Sequence, residues 1–179
     1  VYYGLFSYRK GWLLYTPVML FALGGLVIAL KNKKPYAWSI VVLLPIFLYV
    51  VFSWWCWWYG GSFGARPMVD IYALLALPMG AAFSFIGERR LFLKIPLVVV
   101  ILLMVGLNLF QTAQKRTGYL HHSWMTEKAY WSNFLSLDDQ GGYWDNICQP
   151  DDEKALAGEE EYNTLHSLVS YWRIRGIIK

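Results

Sequence analysis

Four long apolar runs dominate the first 110 positions: Gly11–Leu30, Tyr36–Trp58, Met68–Ile86 and Leu91–Phe110, joined by short polar connectors. Each run is close to the roughly 20 residues that a helix needs to cross about 30 Å of hydrocarbon. Buried helices of a water-soluble core are the alternative, but four such runs with short connectors leave little polar face to meet water. The pattern predicts an all-α fold, a polytopic helical membrane protein with about four transmembrane helices in residues 1–110. Beyond Gln111 the pattern loosens. "MTEKAYWSNFLSL" places Tyr130, Phe134 and Leu137 at helical spacing, and "LHSLVSYW" does the same for Leu165, Leu168, Val169 and Trp172. Between them "DDQGGYWDN" reads as turns and "DDEKALAGEEE" as a short acidic helix stopping near Gly158. Residues 111–179 are therefore expected to form a small, mostly helical tail, too small for a strong core of its own and packed on the membrane region.

Charge gives the runs a direction. Residues 1–110 hold nine Lys or Arg against Asp70 and Glu88, whereas the tail holds seven basic and ten acidic residues. The connectors "KNKKP" and "GERR", with Lys94, gather six basic residues at one end of the bundle, and the connector 59–67 at the other end has only Arg66. The positive-inside rule then places the two basic connectors in the cytoplasm, and the N-terminal lead, the glycine-rich turn and the tail outside. A basic balance of this kind reports orientation and is not a nucleic-acid signal. Val1 in place of Met, and no signal-peptide pattern in the first ten positions, suggest the C-terminal piece of a longer protein.

Each run contains one proline (Pro17, Pro45, Pro78, Pro96), which implies bent, closely packed helices. Gly24, Gly25, Ala76 and Gly80 would let backbones approach. Cys56 and Cys148 are expected as two free thiols rather than a disulfide.

The densest chemistry lies in "WWCWWYGGSFGARPMVD", residues 54–70. Trp54, Trp55, Trp57, Trp58 and Tyr59 exceed what an interfacial belt requires, and on a helix they could not all face lipid. Some must fill a core or line a ligand groove. Gly60, Gly61 and Gly64, with Ser62 among them, permit a turn that presents N–H groups to an anionic oxygen. Arg66 adds a donor fork matched to phosphate, and Asp70, four residues on, would share its helix face. An Arg66–Asp70 pair that merely closes a tight turn is the simpler reading, but ionisable residues at a membrane edge are often functional.

These residues resemble a known family. "LFSYRKGWLLYTPVMLFALGGL" followed by the W-rich, G-G-S-F-G-x-R-P block is similar to the C-terminal membrane segments of GT-C type glycosyltransferases, the group that includes protein mannosyltransferases and aminoarabinose transferases. The phrase "LNLFQTAQKRTGYLHHSWMTEKAYW" is similar to Bacteroidetes-type members of that group. The resemblance implies a multi-pass enzyme of the bacterial cytoplasmic membrane, its tail on the periplasmic side. It would transfer a sugar from a polyprenyl-phosphate donor to an acceptor on the outer face. It also implies that the acidic catalytic residue lies in an N-terminal region not present in this chain, whose transmembrane helices would be partners of the ones here. A divalent metal in the full-length enzyme is left open, and no cofactor is expected in this segment. On the same resemblance Arg66 would bind the lipid-linked phosphate, Asp70 would orient it, and the Gly60–Gly64 turn with Ser62 would shape the pocket. Trp57, Trp58 and Tyr59 would line the sugar or prenyl groove, with Arg9 and Lys10 as weaker phosphate contacts.

Other patterns are thin. His121 and His122 are adjacent and their side chains are expected to diverge, so a zinc site is disfavoured. No Walker loop, CxxC pair or Ser-His-Asp order occurs. A transporter is disfavoured because no ionisable residue falls near the centre of a run. A noncatalytic membrane scaffold or assembly subunit is the standing alternative to the enzyme.

Overall fold

The computed structural model describes residues 1–138 and 142–157. Its helices are α1 (Tyr2–Phe6), α2 (Trp12–Tyr15), α3 (Met19–Lys31), α4 (Pro35–Phe52), α5 (Val69–Gly87, entered through a 3-10 turn at Arg66–Met68), α6 (Leu91–Thr117), α7 (Glu127–Ser132), α8 (Tyr143–Asn146) and α9 (Asp152–Ala157). Every regular element among the described residues is a helix. Three helical stretches, Pro35–Phe52, Arg66–Gly87 and Leu91–Thr117, are long and apolar enough to cross a membrane.

The first apolar run does not form the single helix expected over 11–30. It breaks at Pro17, whose ring disfavours helical geometry in the residue before it, and Thr16 accordingly sits at φ −135°, ψ 60°. The part that remains, α3, has 13 residues, about 20 Å at 1.5 Å per residue, short of a full crossing. Pro45, Pro78 and Pro96 instead lie inside continuous helices.

The second run also ends early. Helix α4 stops at Phe52 and the chain passes through turns from Ser53 to Trp58. Leaving the helix lets successive rings separate: Trp57 and Trp58 turn into the core while Trp54 and Trp55 stay exposed. Helix α6 runs on past Phe110 to Thr117, so the tail begins as its last two turns.

Packing centres on α3 and α5. A Cβ added to Gly25 would lie 1.9 Å from the Pro78 carbonyl oxygen, so glycine is what allows this backbone approach. Gly24 and Gly80 meet nothing within 4 Å, and Ala76 and Gly80 are exposed, so only Gly25 of the four small residues closes a helix contact. Ala22, Leu26 and Ala29 of α3, Ile40 and Leu44 of α4, and Ile71 and Leu75 of α5 form the main core with Trp12, Trp57 and Trp58.

Helix α6 inverts the usual arrangement. No residue of its most apolar stretch is buried, and its buried residues are Gln111 and Gln114. Gln111 Nε2 donates to the Tyr130 hydroxyl at 2.8 Å, and Gln114 Nε2 donates to the carbonyls of Asn133 (2.8 Å) and Ser136 (2.7 Å). A second core of Leu120, Met125, Ala129, Tyr130, Tyr143 and Ile147 closes over Tyr15 of α2 and seats the tail on the membrane region. Thr126 caps α7, its hydroxyl accepting from the Ala129 amide at 3.1 Å. The expected acidic helix appears as α9, whereas the stripe at 165–172 lies outside the described residues. Cys56 and Cys148 are not disulfide-bonded.

Candidate functional site

The end of the bundle opposite the basic connectors is built from three separate segments: the lead into α2, the glycine turn after α4, and the loop after α6. In the lead, the Ser7 hydroxyl accepts from the amides of Arg9 (3.2 Å) and Lys10 (3.4 Å), which folds the chain back and directs Lys10 inward. Lys10 is 2% exposed. Its ammonium donates to the Gly60 carbonyl and, at 3.0 Å, to the Ser62 hydroxyl.

Gly60 can offer its carbonyl this way because it adopts φ +61°, in the left-handed region that favours glycine. Tyr59 before it sits at φ +50°, and its hydroxyl donates to the Val51 carbonyl at 2.8 Å. The same Gly60 oxygen also accepts from the Ser62 amide (3.1 Å) and the Ser123 hydroxyl (3.1 Å). What the turn presents to Lys10 is thus an oxygen acceptor, where the sequence suggested N–H groups facing an anion.

The loop after α6 brings two imidazoles to the same place. His121 and His122 do not diverge as adjacent helical residues would; the chain is bent there and the rings stack at 4.2 Å. The other face of His121 stacks on Trp124 at 4.4 Å. His121 Nδ1 accepts from the amides of Ser123 (3.2 Å) and Trp124 (3.0 Å), which leaves Nε2 as the protonated nitrogen of a neutral ring. His122 lies over the turn, its Cδ2 3.7 Å from where a Gly61 Cβ would be.

The electrostatics of this cluster are one-sided. Burial lowers the Lys10 ammonium from its usual value to about 7, and the Lys115 charge pushes in the same direction, with Cys56 opposing. Burial brings His121 down to about 4, helped by His122 and Lys10. His122 is also lowered, by burial and then by Lys10 and Lys115. Among the described residues no carboxylate lies within salt-bridge distance of Lys10, Lys115, His121 or His122. Four basic side chains thus share one end of the bundle with no carboxylate of the described residues in salt-bridge contact with them, an arrangement suited to an anionic ligand.

The remaining sequence-selected residues separate into two groups. Arg9 is buried with its guanidinium 5.0 Å from the centre of the Trp58 ring, a cation–π contact. Trp57 and Trp58 meet edge to face at 5.8 Å inside the core, so most of their surface goes to packing. Trp57 also walls a cavity of about 250 Å³ with Tyr3, Phe52, Trp54 and Trp55. Gly64 is buried near Tyr15. Arg66 and Asp70 are both exposed and form no ion pair with each other, because Arg66 lies in the 3-10 turn and the shared helix face assumed for i, i+4 begins only at Val69.

Sequence reasoning ranked Arg66 first and Lys10 last, and it passed over Ser123, Lys115 and the two histidines as site residues. The usable signal was the polar phrase "YLHHSW", a break in an otherwise aromatic tail. Among the described residues no group of three or more His, Cys, Asp or Glu is placed to hold a metal ion, and His166 lies outside them. Comparison with known proteins finds no matching family model, no similar curated protein and no similar solved structure, so what this site does rests on its own geometry.

Proposed function

We propose that the chain is the C-terminal part of an integral-membrane glycosyltransferase of the GT-C type, acting on a polyprenyl-phosphate-linked sugar at the outer face of the bacterial cytoplasmic membrane. The observation that carries this reading is the buried Lys10 ammonium, tied to the glycine turn in a cluster with Lys115, His121 and His122 and without a carboxylate partner among the described residues. An ammonium has three donors. Two are used by Gly60 and Ser62, and in this reading the third is the one offered to a phosphate oxygen. The phosphodiester anion of the donor, and the more highly charged polyprenyl phosphate left after transfer, would favour the charged form of Lys10 and recover part of the cost of burial. In this reading Lys10 is the principal phosphate contact. The exposed Arg66 guides the donor from solvent, Asp70 moderates Arg66, and the aromatic cavity beside Trp57 receives the sugar or the first prenyl units. The catalytic carboxylate, and any divalent metal it holds, belong to the N-terminal part of the full protein.

The test is transfer of labelled sugar from a polyprenyl-phosphate donor by the full-length protein in membranes. Turnover is expected to collapse in Lys10→Met and to fall in Lys115→Met and Arg66→Ala, with membrane insertion retained. Full turnover in Lys10→Met and Lys115→Met would reduce the cluster to a structural tie between lead, turn and tail. That outcome favours the scaffold reading, in which the aromatic and basic residues only hold the outer end of the bundle together.

A further inference from the structure

The opposite end of the bundle carries a second site, independent of the reading above. A groove of about 390 Å³ opens between α3, α5 and α6, with Leu20, Gly24, Ile28, Phe85, Leu97 and Met104 among its walls. Gly24 faces open space in it, since a Cβ there would meet nothing within 4 Å, whereas the neighbouring Gly25 is committed to the Pro78 contact. Ile28 and Phe85 also wall an adjoining cavity of about 400 Å³, whose other walls include the polar residues Asn32, Lys34, Ser84 and Glu88. The Arg89 guanidinium sits 3.8 Å from the centre of the ring of Phe85, a residue that walls both spaces. An apolar slot thus continues into a polar pocket at the level where Lys31, Lys33, Lys34, Arg89 and Arg90 outnumber Glu88.

We infer that this composite site holds an anionic phospholipid, one acyl chain in the groove and the phosphate headgroup in the Lys34 pocket. The pocket's charged lining is Lys34 with Glu88, and the wider positive excess of the two connectors favours anionic over zwitterionic lipid at this end. The unburied apolar stretch of α6 gives the lipid a lateral way in from the bilayer.

The experiment places the full-length protein in vesicles containing phosphatidylglycerol with a photoreactive diazirine in one acyl chain, and maps the labelled peptides by mass spectrometry. Label is expected on α3 around Gly24–Ile28 and on α5 around Phe85, above that on the exposed Leu102 and Leu103 of α6. Gly24→Phe should abolish the groove label by filling it. Gly106→Phe should retain it, since Gly106 also meets nothing within 4 Å but does not line the groove. Lys34→Glu, on the connector and outside the packed helices, should lose most of the label without filling the groove. The inference is overturned if Gly24→Phe and Lys34→Glu label like wild type, or if phosphatidylcholine carrying the same probe labels the groove equally. A wild-type groove that stays unlabelled, because another segment of the chain fills it, overturns it as well.

Discussion

Lys10 shows how a residue that looks like an ordinary membrane-edge cation becomes the pivot of a site. Its position was legible in the sequence but its burial was not, because burial depends on the Ser7 turn and on a carbonyl fifty residues away. With its folded value lowered to about 7 from 10.5, the unfolded chain holds a proton that the folded chain releases between those values. Stability from this group therefore rises with pH across that window and is lowest below about 7, where folded and unfolded chains are both protonated and folding must bury a charged ammonium. Ligand binding has the opposite slope. An anionic phosphate prefers the protonated form, so affinity of the full-length protein for a polyprenyl phosphate should weaken as pH rises through about 7. Calorimetric titration across that range should show this for wild type and Arg66→Ala, and a flat response for Lys10→Met. Among the aromatics, Trp58→Ala removes a buried ring and should destabilise by about 3–5 kcal/mol in detergent unfolding, whereas Trp54→Ala, at an exposed position, should leave the midpoint nearly unchanged.

Helix boundaries divide into those that local chemistry dictates and those that packing decides. The centres of α4, α5 and α6 follow directly from the apolar runs, since no alternative satisfies their backbone in hydrocarbon. The failure of the first run as one helix turns on Pro17, which is not distinguishable by spacing from Pro45, Pro78 and Pro96; what differs is that the latter three have helix on both sides to hold them. The early end of α4 reflects a gain visible only in three dimensions, the burial of Trp57 and Trp58. Gly24 and Gly25 look equivalent in sequence yet should behave oppositely. Gly25→Ala forces α3 away from the Pro78 carbonyl and should cost about 1–3 kcal/mol; Gly24→Ala should be neutral or stabilising. At the far end of α6, Gln114→Ala removes the two hydrogen bonds that the side chain donates to the carbonyls of Asn133 and Ser136, a loss of about 1–3 kcal/mol. Limited proteolysis should then cut the tail after Thr117 sooner than in wild type.

At the scale of the molecule, a membrane-facing bundle and a small aromatic cap meet at one polar seam. Exposed Leu102, Leu103 and Leu109 on α6, and Val50 and Tyr49 on α4, belong to the apolar surface of helices long enough to cross a membrane, the surface that hydrocarbon would cover. The positive-inside rule assigns the basic connectors to the cytoplasm, so a membrane-impermeant thiol reagent applied to intact cells should label Gly61→Cys in a cysteine-free background and spare Asn32→Cys. The reverse pattern would invert the topology and move the Lys10 cluster indoors. The seam itself was hidden from sequence reasoning because its parts are dispersed through the chain. One carbonyl, that of Gly60, receives Lys10 from before the first long helix and Ser123 from after the last. Synthesis delivers these groups in order, so a ribosome that has made the lead and the turn has not yet supplied the hydroxyl that completes the junction. A nascent chain halted before that loop can already seat Lys10 on Gly60 and Ser62, but its Gly60 carbonyl lacks the Ser123 donor, so the tie between lead, turn and tail is completed only after the last long helix has been made.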